Sequence, residues 1–470
     1  MRTPEQVLGR HSTGCEGTQG VFPACNFTCS PCYHSADANK VRVDGGHTVA
    51  QVTAQMAELR RQRGPRAHAQ LIGGEVSLLS PDDHAAALLA MRGAGREPMS
   101  MTHGDFDATY LDALVCGPDG KVRLPRVSFA AHFDVTMRGR NGMPRPHTEA
   151  DLHEHRRAFA TMFADLRRRK GVRSYLAHNM TVTPDNLDQV PEVAREVARM
   201  GYQMMSFQPA ASVGDDRRWS PGMNSVSIDD VWERIETGLG QRIAWQALQF
   251  GHPSCNRTAI GLLVGPRWVP LLDPASAKDL RVRDAEIAWL GAVSFRGTPI
   301  GWQAIKLARI AVDHPALVPL SLGWSVRFVR RAGGLGRLVR ALIRRELRPM
   351  TFVVHNFMDA AVVAPAWAAT RAGTLSADPE VRLAQDRLAG CFYGMAHPET
   401  GEVVPACVQH SVLDPEQNRQ LKVLLPLPTL RARPDPRSTT STAQESDAHH
   451  HTVPRRPHDD PRRLLPERRG

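Results

Sequence analysis

Ala24-Cys25-Asn26-Phe27-Thr28-Cys29-Ser30-Pro31-Cys32-Tyr33 is the stretch from which the rest of the chain is read. Its cysteines are spaced C-x3-C-x2-C, and three thiolates on one short loop can ligate three irons of a cubane cluster while the fourth iron keeps no protein ligand. An iron open in this way can bind a substrate or cofactor. The competing reading is a structural zinc knot, because His34 stands two residues after Cys32 and Cys3His is an accepted zinc set. Zinc ligands usually come as two spaced pairs, however, and no second pair stands close by. Eight cysteines in 470 residues, with no signal-peptide pattern at the N-terminus, point to a reducing cytoplasm and metal-binding thiols rather than a disulfide framework.

The length corresponds to two or three domains, and 42% hydrophobic residues can support a sizeable core. The apolar runs are too short and too broken by charge to span a membrane. A formal charge of +11 and a pI near 9.6 imply an acidic partner or surface. The tail from about Arg431 to Gly470 is rich in Pro, Arg, Ser, Asp and His without apolar periodicity, which predicts disorder. His449 to His451 lie inside that tail and read as a solvated low-complexity run ahead of a metal site.

Between Cys25 and Pro209, short apolar segments alternate with amphipathic helical patterns, the signature of βα units around a parallel sheet. Thr48 and Gln51 suggest a capping box, with Val49, Val52, Met56 and Leu59 on one helical face. Ala67 to Ile72 predicts a buried strand ending in Gly73-Gly74-Glu75. Further strands are expected at Met99 to Thr102, Val127 to Phe133, Tyr175 to Val182 and Gln203 to Gln208. Thr148 and Asp151 open a helix that buries Leu152, Phe159, Phe163 and Leu166 and closes near Gly171. Asp185 or Asn186 caps the next, with Leu187, Val190, Val197 and Met200 inward. The expected fold is α/β: a short segment at 1–20, a partial (βα)6 TIM-type barrel at 21–212, a mixed α+β extension at 213–428 and a disordered tail at 429–470. In such a barrel chemistry sits at the C-terminal ends of the strands. The cysteine loop follows the first strand and Gly73-Gly74-Glu75 ends the second, so both face one mouth. Glycines admit close backbone approach, and Glu75 offers an acceptor for an ammonium group.

The cysteine loop and Gly73-Gly74-Glu75 together resemble the radical S-adenosylmethionine (SAM) superfamily. The resemblance implies that the open iron of a [4Fe-4S] cluster chelates the amino and carboxylate groups of SAM and that Gly73, Gly74 and Glu75 contact its amino group. It also implies an electron donor such as flavodoxin or ferredoxin. The residue before the third cysteine is often aromatic in the superfamily and here is Pro31, which leaves Tyr33 as the expected neighbour of the adenine.

Downstream come Ser227 and Asp230, a further capping pair, then His252-Pro253-Ser254-Cys255 and Phe357-Met358-Asp359. A hairpin is expected with its turn at Pro398 to Gly401 and Cys391 and Cys407 on either flank. This combination is similar to the radical SAM class that includes the archaeal tetraether lipid synthases, whose members carry auxiliary clusters and act on unactivated carbons. The chain lacks the N-terminal cysteine-rich domain of that class, of which Cys15 reads as a remnant. Cys15, Cys255, Cys391 and Cys407 would complete one auxiliary [4Fe-4S] cluster; the alternative is that they are buried, inert small hydrophobes. Cys116, in a loop before Gly117-Pro118, is set aside.

From Lys306 to Arg348, Arg327, Arg330, Arg331, Arg337, Arg340, Arg344 and Arg345 are interleaved with apolar residues, a basic amphipathic pattern able to lie on anionic headgroups. A solvated basic face is the alternative reading, and Gly333-Gly334 interrupts the helix. No recognised nucleic-acid module accompanies the charge, so no nucleic-acid partner is expected. The expectation is thus a cytoplasmic SAM-dependent radical enzyme, an oxidoreductase or transferase with the inner membrane surface as an additional site, that abstracts hydrogen from an unactivated carbon of a lipid chain. A modified peptide is the rival substrate, and an iron–sulfur or zinc protein that senses redox state or binds a partner is the non-enzymatic alternative. The sequence assigns no catalytic acid, base or hydrogen donor.

Overall fold

The computed structural model describes residues 15–427 apart from 20, 35, 65–66, 291–299 and 398–399. The expected tail with His449 to His451, and most of the segment at 1–20, lie outside the described residues. The strands are β1 (Cys15–Gly17), β2 (Ala67–Leu71), β3 (Arg96–Thr102), β4 (Arg126–His132), β5 (Arg173–Val182), β6 (Met204–Pro209), β7 (Asn256–Val264), β8 (Arg267–Pro270), β9 (Leu347–His355), β10 (Tyr393–Ala396) and β11 (Val403–Pro405). They form one sheet in the order β11-β10-β1-β2-β3-β4-β5-β6-β9-β7-β8. The α/β class holds, but the parallel part is wider than the six strands expected. β10 adds in parallel beside β1, and β9 beside β6. β11, β7 and β8 run antiparallel at the two edges. Among the described residues no ladder joins β11 to β8, so the sheet is open in its hydrogen bonding.

Helices α1 (Gly45–Arg63), α2 (Pro81–Gly93), α3 (Ala108–Val115), α4 (His153–Lys170), α5 (Val190–Val197) and α6 (Ile228–Leu239) alternate with the strands. Their inward faces follow the 3.6-residue period: Val52, Met56 and Leu59 on α1, Phe159, Phe163 and Leu166 on α4, and Val190, Val193 and Val197 on α5 are all buried. Gly171 closes α4 in a left-handed cap, and Ser227 and Asp230 make a reciprocal capping box on α6. At α1 the expected cap is displaced. Asp44 accepts from the His47 amide, while the Thr48 hydroxyl donates to the carbonyl of Val21 and ties α1 to the chain entering the cysteine loop. Thr48 is buried, and its hydroxyl is more use there than at a solvated helix end.

Beyond β8 the chain forms α7 (Ala277–Leu290), α8 (Ile300–Asp313), α9 (Leu317–Arg331) and α10 (Leu335–Ile343) before it returns as β9; α11 (Ala360–Arg371) and α12 (Pro379–Ala389) follow. Gly333 and Gly334, at φ 88° and 93°, make the break between α9 and α10 that other residues would adopt only with strain.

A buried ion pair locks the start of the sheet. Arg96 donates through Nε and Nη2 to the two Glu16 oxygens at 2.9 and 3.1 Å, and neither side chain is exposed to solvent. Burial raises the Glu16 carboxyl, against the lowering pull of Arg96 and Arg63. Replacing Glu16 by Leu would strand a buried guanidinium, so we expect stability to fall by about 3–5 kcal/mol in urea titration. Pairing that change with Arg96→Leu should restore most of the loss; equal instability of the single and double variants would rule out the stranded charge as its cause.

Candidate functional site

The chain leaving β1 runs through buried Val21, Phe22, Pro23 and Ala24 before it reaches Cys25. This run lies against the end of β2. The Gly74 amide donates to the Phe22 carbonyl at 2.9 Å, and the Glu75 amide to the Ala24 carbonyl at 3.0 Å. A Cβ on Gly73 would lie 2.5 Å from the Phe22 ring, and one on Gly74 would lie 1.9 Å from the Ala24 carbonyl oxygen. The close approach therefore requires glycine at both positions.

The loop is stitched to the segment after β4: Thr28 donates to the Arg138 carbonyl at 3.0 Å and Ser30 to that of Thr136 at 3.1 Å. The Phe27 ring stacks on His103 at 3.9 Å between centroids, with the Arg140 guanidinium 5.5 Å from the Phe27 centroid. Cys25, Cys29 and Cys32 remain partly exposed. Burial pushes the Cys25 thiol up to about 12 and the Cys29 thiol well above its ordinary value, and neighbouring cysteines push both further. Binding a cation would expel these protons, because the thiolate is the ligand.

Among the described residues no group of three or more His, Cys, Asp or Glu side chains is drawn around a single metal ion. The carboxylates near the loop are committed elsewhere. Asp134 accepts from Thr136 and from the amide of Thr181. Glu75 is buried, with Oε1 accepting from the Ser77 amide and the Thr102 hydroxyl and Oε2 from the His103 amide. The carboxylate that the sequence offered to an ammonium group thus caps the short helix at Val76–Leu78 and holds the end of β3. Cys25, Cys29 and Cys32 are left as the free thiols of the loop.

Tyr33 packs with Ile72, Met395 and Ala406, its ring 4.8 Å from that of His410, and its hydroxyl donates to the Gly73 carbonyl at 3.5 Å. His34 Nε2 reaches the same carbonyl at 2.5 Å. Burial lowers the His34 imidazole to about 4, so it is neutral at pH 7 and Nε2 carries the donated proton. Its Nδ1 is then an acceptor, buried with no protein partner, as are the Gln19 side-chain amide and the Asn418 nitrogen. These residues line an inner cavity of about 10 Å³ beside Gly73, room for roughly one water. His410, Asp414 and Asn418 also line an outer cavity of about 350 Å³ with Asp37, Asp215 and Arg217. Burial raises Asp414, but the His410 hydrogen bond at 2.8 Å and the charge of His410 outweigh it and hold the carboxyl below its ordinary value. Sequence reasoning missed Gln19, His410, Asp414 and Asn418.

Of the downstream cysteines, Cys391 and Cys407 stand around β10 and its hairpin, and Cys255 stands directly before β7. β10 and β11 form the expected hairpin, closed by the His397 amide donating to the Glu402 carbonyl and the Gly401 amide to the His397 carbonyl, each at 2.8 Å, although Pro398 and Glu399 lie outside the described residues. Burial pushes Cys391 up to about 11 and Cys407 up to about 12; Cys255 pushes both further, and Cys391 adds to the rise at Cys407. The Cys255 sulfur accepts from Arg387 Nε at 3.1 Å, and the Cys391 thiol donates to the Tyr393 carbonyl at 3.1 Å. Cys15 sits on β1 beside Tyr393, its sulfur 3.8 Å from His68 Nδ1. Cys116 ends α3 in a small bridge to Val122.

No protein-family model matches the chain, and no curated protein matches its sequence. Solved structures do show likeness. SuiB of Streptococcus suis bound to S-adenosylmethionine aligns with a TM-score of 0.29 and 12% identity, over 42% of this chain and 40% of SuiB. anSMEcpe with bound AdoMet aligns at 0.32 and 11%, over 49% of this chain and 63% of that one. Its complex with AdoMet and the Cp18Cys peptide gives 0.31 and 12%, over 49% and 62%. The chain thus matches less than two thirds of each of these proteins, and at such scores the functional reading rests on the residues themselves.

Proposed function

We propose that this chain is a radical SAM iron–sulfur enzyme that abstracts a hydrogen atom from an unactivated carbon. One observation carries the reading: a C-x3-C-x2-C loop hydrogen-bonded at its entry to Gly74 and Glu75, at the end of the neighbouring strand. Cys25, Cys29 and Cys32 would hold a [4Fe-4S] cluster with one iron open to the amino-acid end of SAM. A cluster held there would supply the one-electron reductive cleavage of SAM that makes a carbon radical able to take hydrogen from substrate.

The chain's own residues bind and orient. Gly73 and Gly74 bring the backbone close to the methionine end of SAM, with Glu75 behind them fixing the turn. Tyr33 and His34 hold the Gly73 carbonyl in place, and Tyr33 is the ring we assign to the adenine. Arg218 donates to the His34 carbonyl at 3.3 Å and brings positive charge to the thiolates of the loop. Cys255, Cys391 and Cys407, with Cys15 as the fourth ligand, would hold an auxiliary cluster that relays an electron or binds substrate. A flavodoxin or ferredoxin would supply the reductant. The substrate class we favour is an acyl or isoprenoid chain; the apolar, arginine-rich helices inserted between β8 and β9 support it over a peptide.

Anaerobic reconstitution should load about eight irons per chain if both clusters form, or about four if only the first does. On addition of SAM and reductant the loaded protein should yield 5′-deoxyadenosine. Absence of cleavage by a protein with a well-formed cluster, with and without lipid, sinks the enzyme reading. One zinc at the Cys25 loop in anaerobically purified material sinks the cluster. Lipid extracts of a deletion strain and its parent then test the substrate, and identical profiles remove the lipid reading.

A further inference from the structure

Twelve of the twenty large apolar side chains exposed among the described residues lie between Trp289 and Ile343. They fall in the helical insertion between β8 and β9, and their spacing is helical. On α10, Leu335, Val339, Leu342 and Ile343 recur at i, i+4, i+7 and i+8 and point outward, with Leu335 66% and Ile343 75% exposed. The opposite side of the same helix, Leu338 and Ala341, packs on Phe328, Val264 and Val269. On α9, Val318, Leu322 and Val326 form an outward stripe at i, i+4 and i+8, while Trp324 and Phe328 turn inward. On α8, Trp302, Ile305 and Val312 are exposed, the last by 79%. Each of α9 and α10 thus carries two apolar faces, and the sheet covers one of them. An isolated exposed Leu is ordinary; a set this large, in register on successive helices, marks a docking surface.

Charge selects the occupant. From Ile300 to Arg348 there are ten Lys and Arg against two acidic residues, Asp313 and Glu346. Arg327 and Arg331 are spent on Asp279, where they fix α9 to α7. Arg330, Arg337, Arg340, Arg344 and Arg345 are exposed and make no ion pair among the described residues. A second copy of the chain would bring the same positive field to the contact and be repelled by it. A bilayer with anionic headgroups satisfies both features, because apolar side chains enter the acyl boundary while long arginine side chains stay at headgroup level. No helix among the described residues is long and apolar enough to cross a membrane, so contact through these helices is interfacial.

We infer that α8, α9 and α10 dock this protein on an anionic membrane surface, α10 through Leu335, Val339, Leu342 and Ile343 in the lipid and Arg337, Arg340 and Arg344 on the headgroups. The inference rests on neither cluster. It is tested with the full-length chain and sucrose-loaded vesicles, either phosphatidylcholine alone or phosphatidylcholine with about a third phosphatidylglycerol, pelleted at low and at high salt. Binding to the anionic vesicles should be at least about tenfold tighter and should weaken with salt. Replacing Arg337, Arg340 and Arg344 by Gln should weaken it by about fivefold per arginine. Leu342→Glu with Ile343→Glu should weaken it by at least about tenfold while the melting transition, set by the covered faces, stays in place. Three results overturn the inference: no binding to anionic vesicles at low salt, binding that the glutamates leave untouched, or a dimer in sedimentation that the glutamates dissolve, which would give the face to a second copy.

Discussion

Cys29→Ala is expected to remove the iron of the core site and all formation of 5′-deoxyadenosine. A cube needs a thiolate on each of three irons when the fourth is kept for a cofactor, and the two cysteines left cannot hold it. Cys29 is the middle ligand, and its thiol is raised by both Cys32 and Cys25 after burial itself. The substitution should spare the fold. The loop stays fastened through the Thr28 and Ser30 amides, and the sulfur's own bond, from the Arg138 amide, is worth about 1 kcal/mol. Iron content should drop by about four per chain, SAM cleavage should fall to background, and the metal-free protein should melt within a few degrees of the parent. A structural zinc knot would instead lose one zinc and lose stability with it. Unchanged iron in the variant contradicts the assignment of the site.

The central strands and their helices were legible because each carries its own local signal. β2 to β6 are apolar runs bounded by turns, and α4 and α6 announce themselves through Thr148, Gly171 and Ser227 with Asp230. The added width of the sheet was not legible. β10 is only Tyr393–Ala396, and it becomes a neighbour of β1 through tertiary pairing that no sequence period encodes. β9 reaches β6 only after the β7–β8 hairpin and the inserted helices. The site divides in the same way. The cysteine loop and Gly73-Gly74-Glu75 stand out by spacing and composition, whereas His410, Asp414 and Asn418 come from the far end of the chain and join His34 only in three dimensions. For Glu75 the residue type alone was legible, and the fold adds that its oxygens accept from Ser77, Thr102 and His103. The basic pattern after Lys306 was legible as amphipathic, but only the covered faces of α9 and α10 show which apolar residues are left over.

Gly74→Ala tests the contact on which the candidate site depends. The added methyl would lie 1.9 Å from the Ala24 oxygen, 2.3 Å from its carbonyl carbon and 2.4 Å from the Pro23 oxygen. All three are main-chain atoms, so no rotamer change relieves the clash, and the run from Phe22 to Ala24 must move off the end of β2. That movement would stretch the Gly74 to Phe22 and Glu75 to Ala24 hydrogen bonds. Overpacking costs about 1–3 kcal/mol, and two buried hydrogen bonds add about 1 kcal/mol each, so a loss of roughly 3–5 kcal/mol is expected in urea titration. Because the displaced run leads straight into Cys25, the variant should also load iron poorly at temperatures where it is still folded. Gly46→Ala is the control: it sits in the first turn of α1, its new methyl would meet nothing nearer than Asp44 Oδ1 at 3.5 Å, and it should be neutral or stabilise by up to about 1 kcal/mol. If Gly74→Ala matched that control in both stability and iron content, the cysteine loop and the glycine turn would not be in the close contact described, and the proposed SAM site would lose its physical basis.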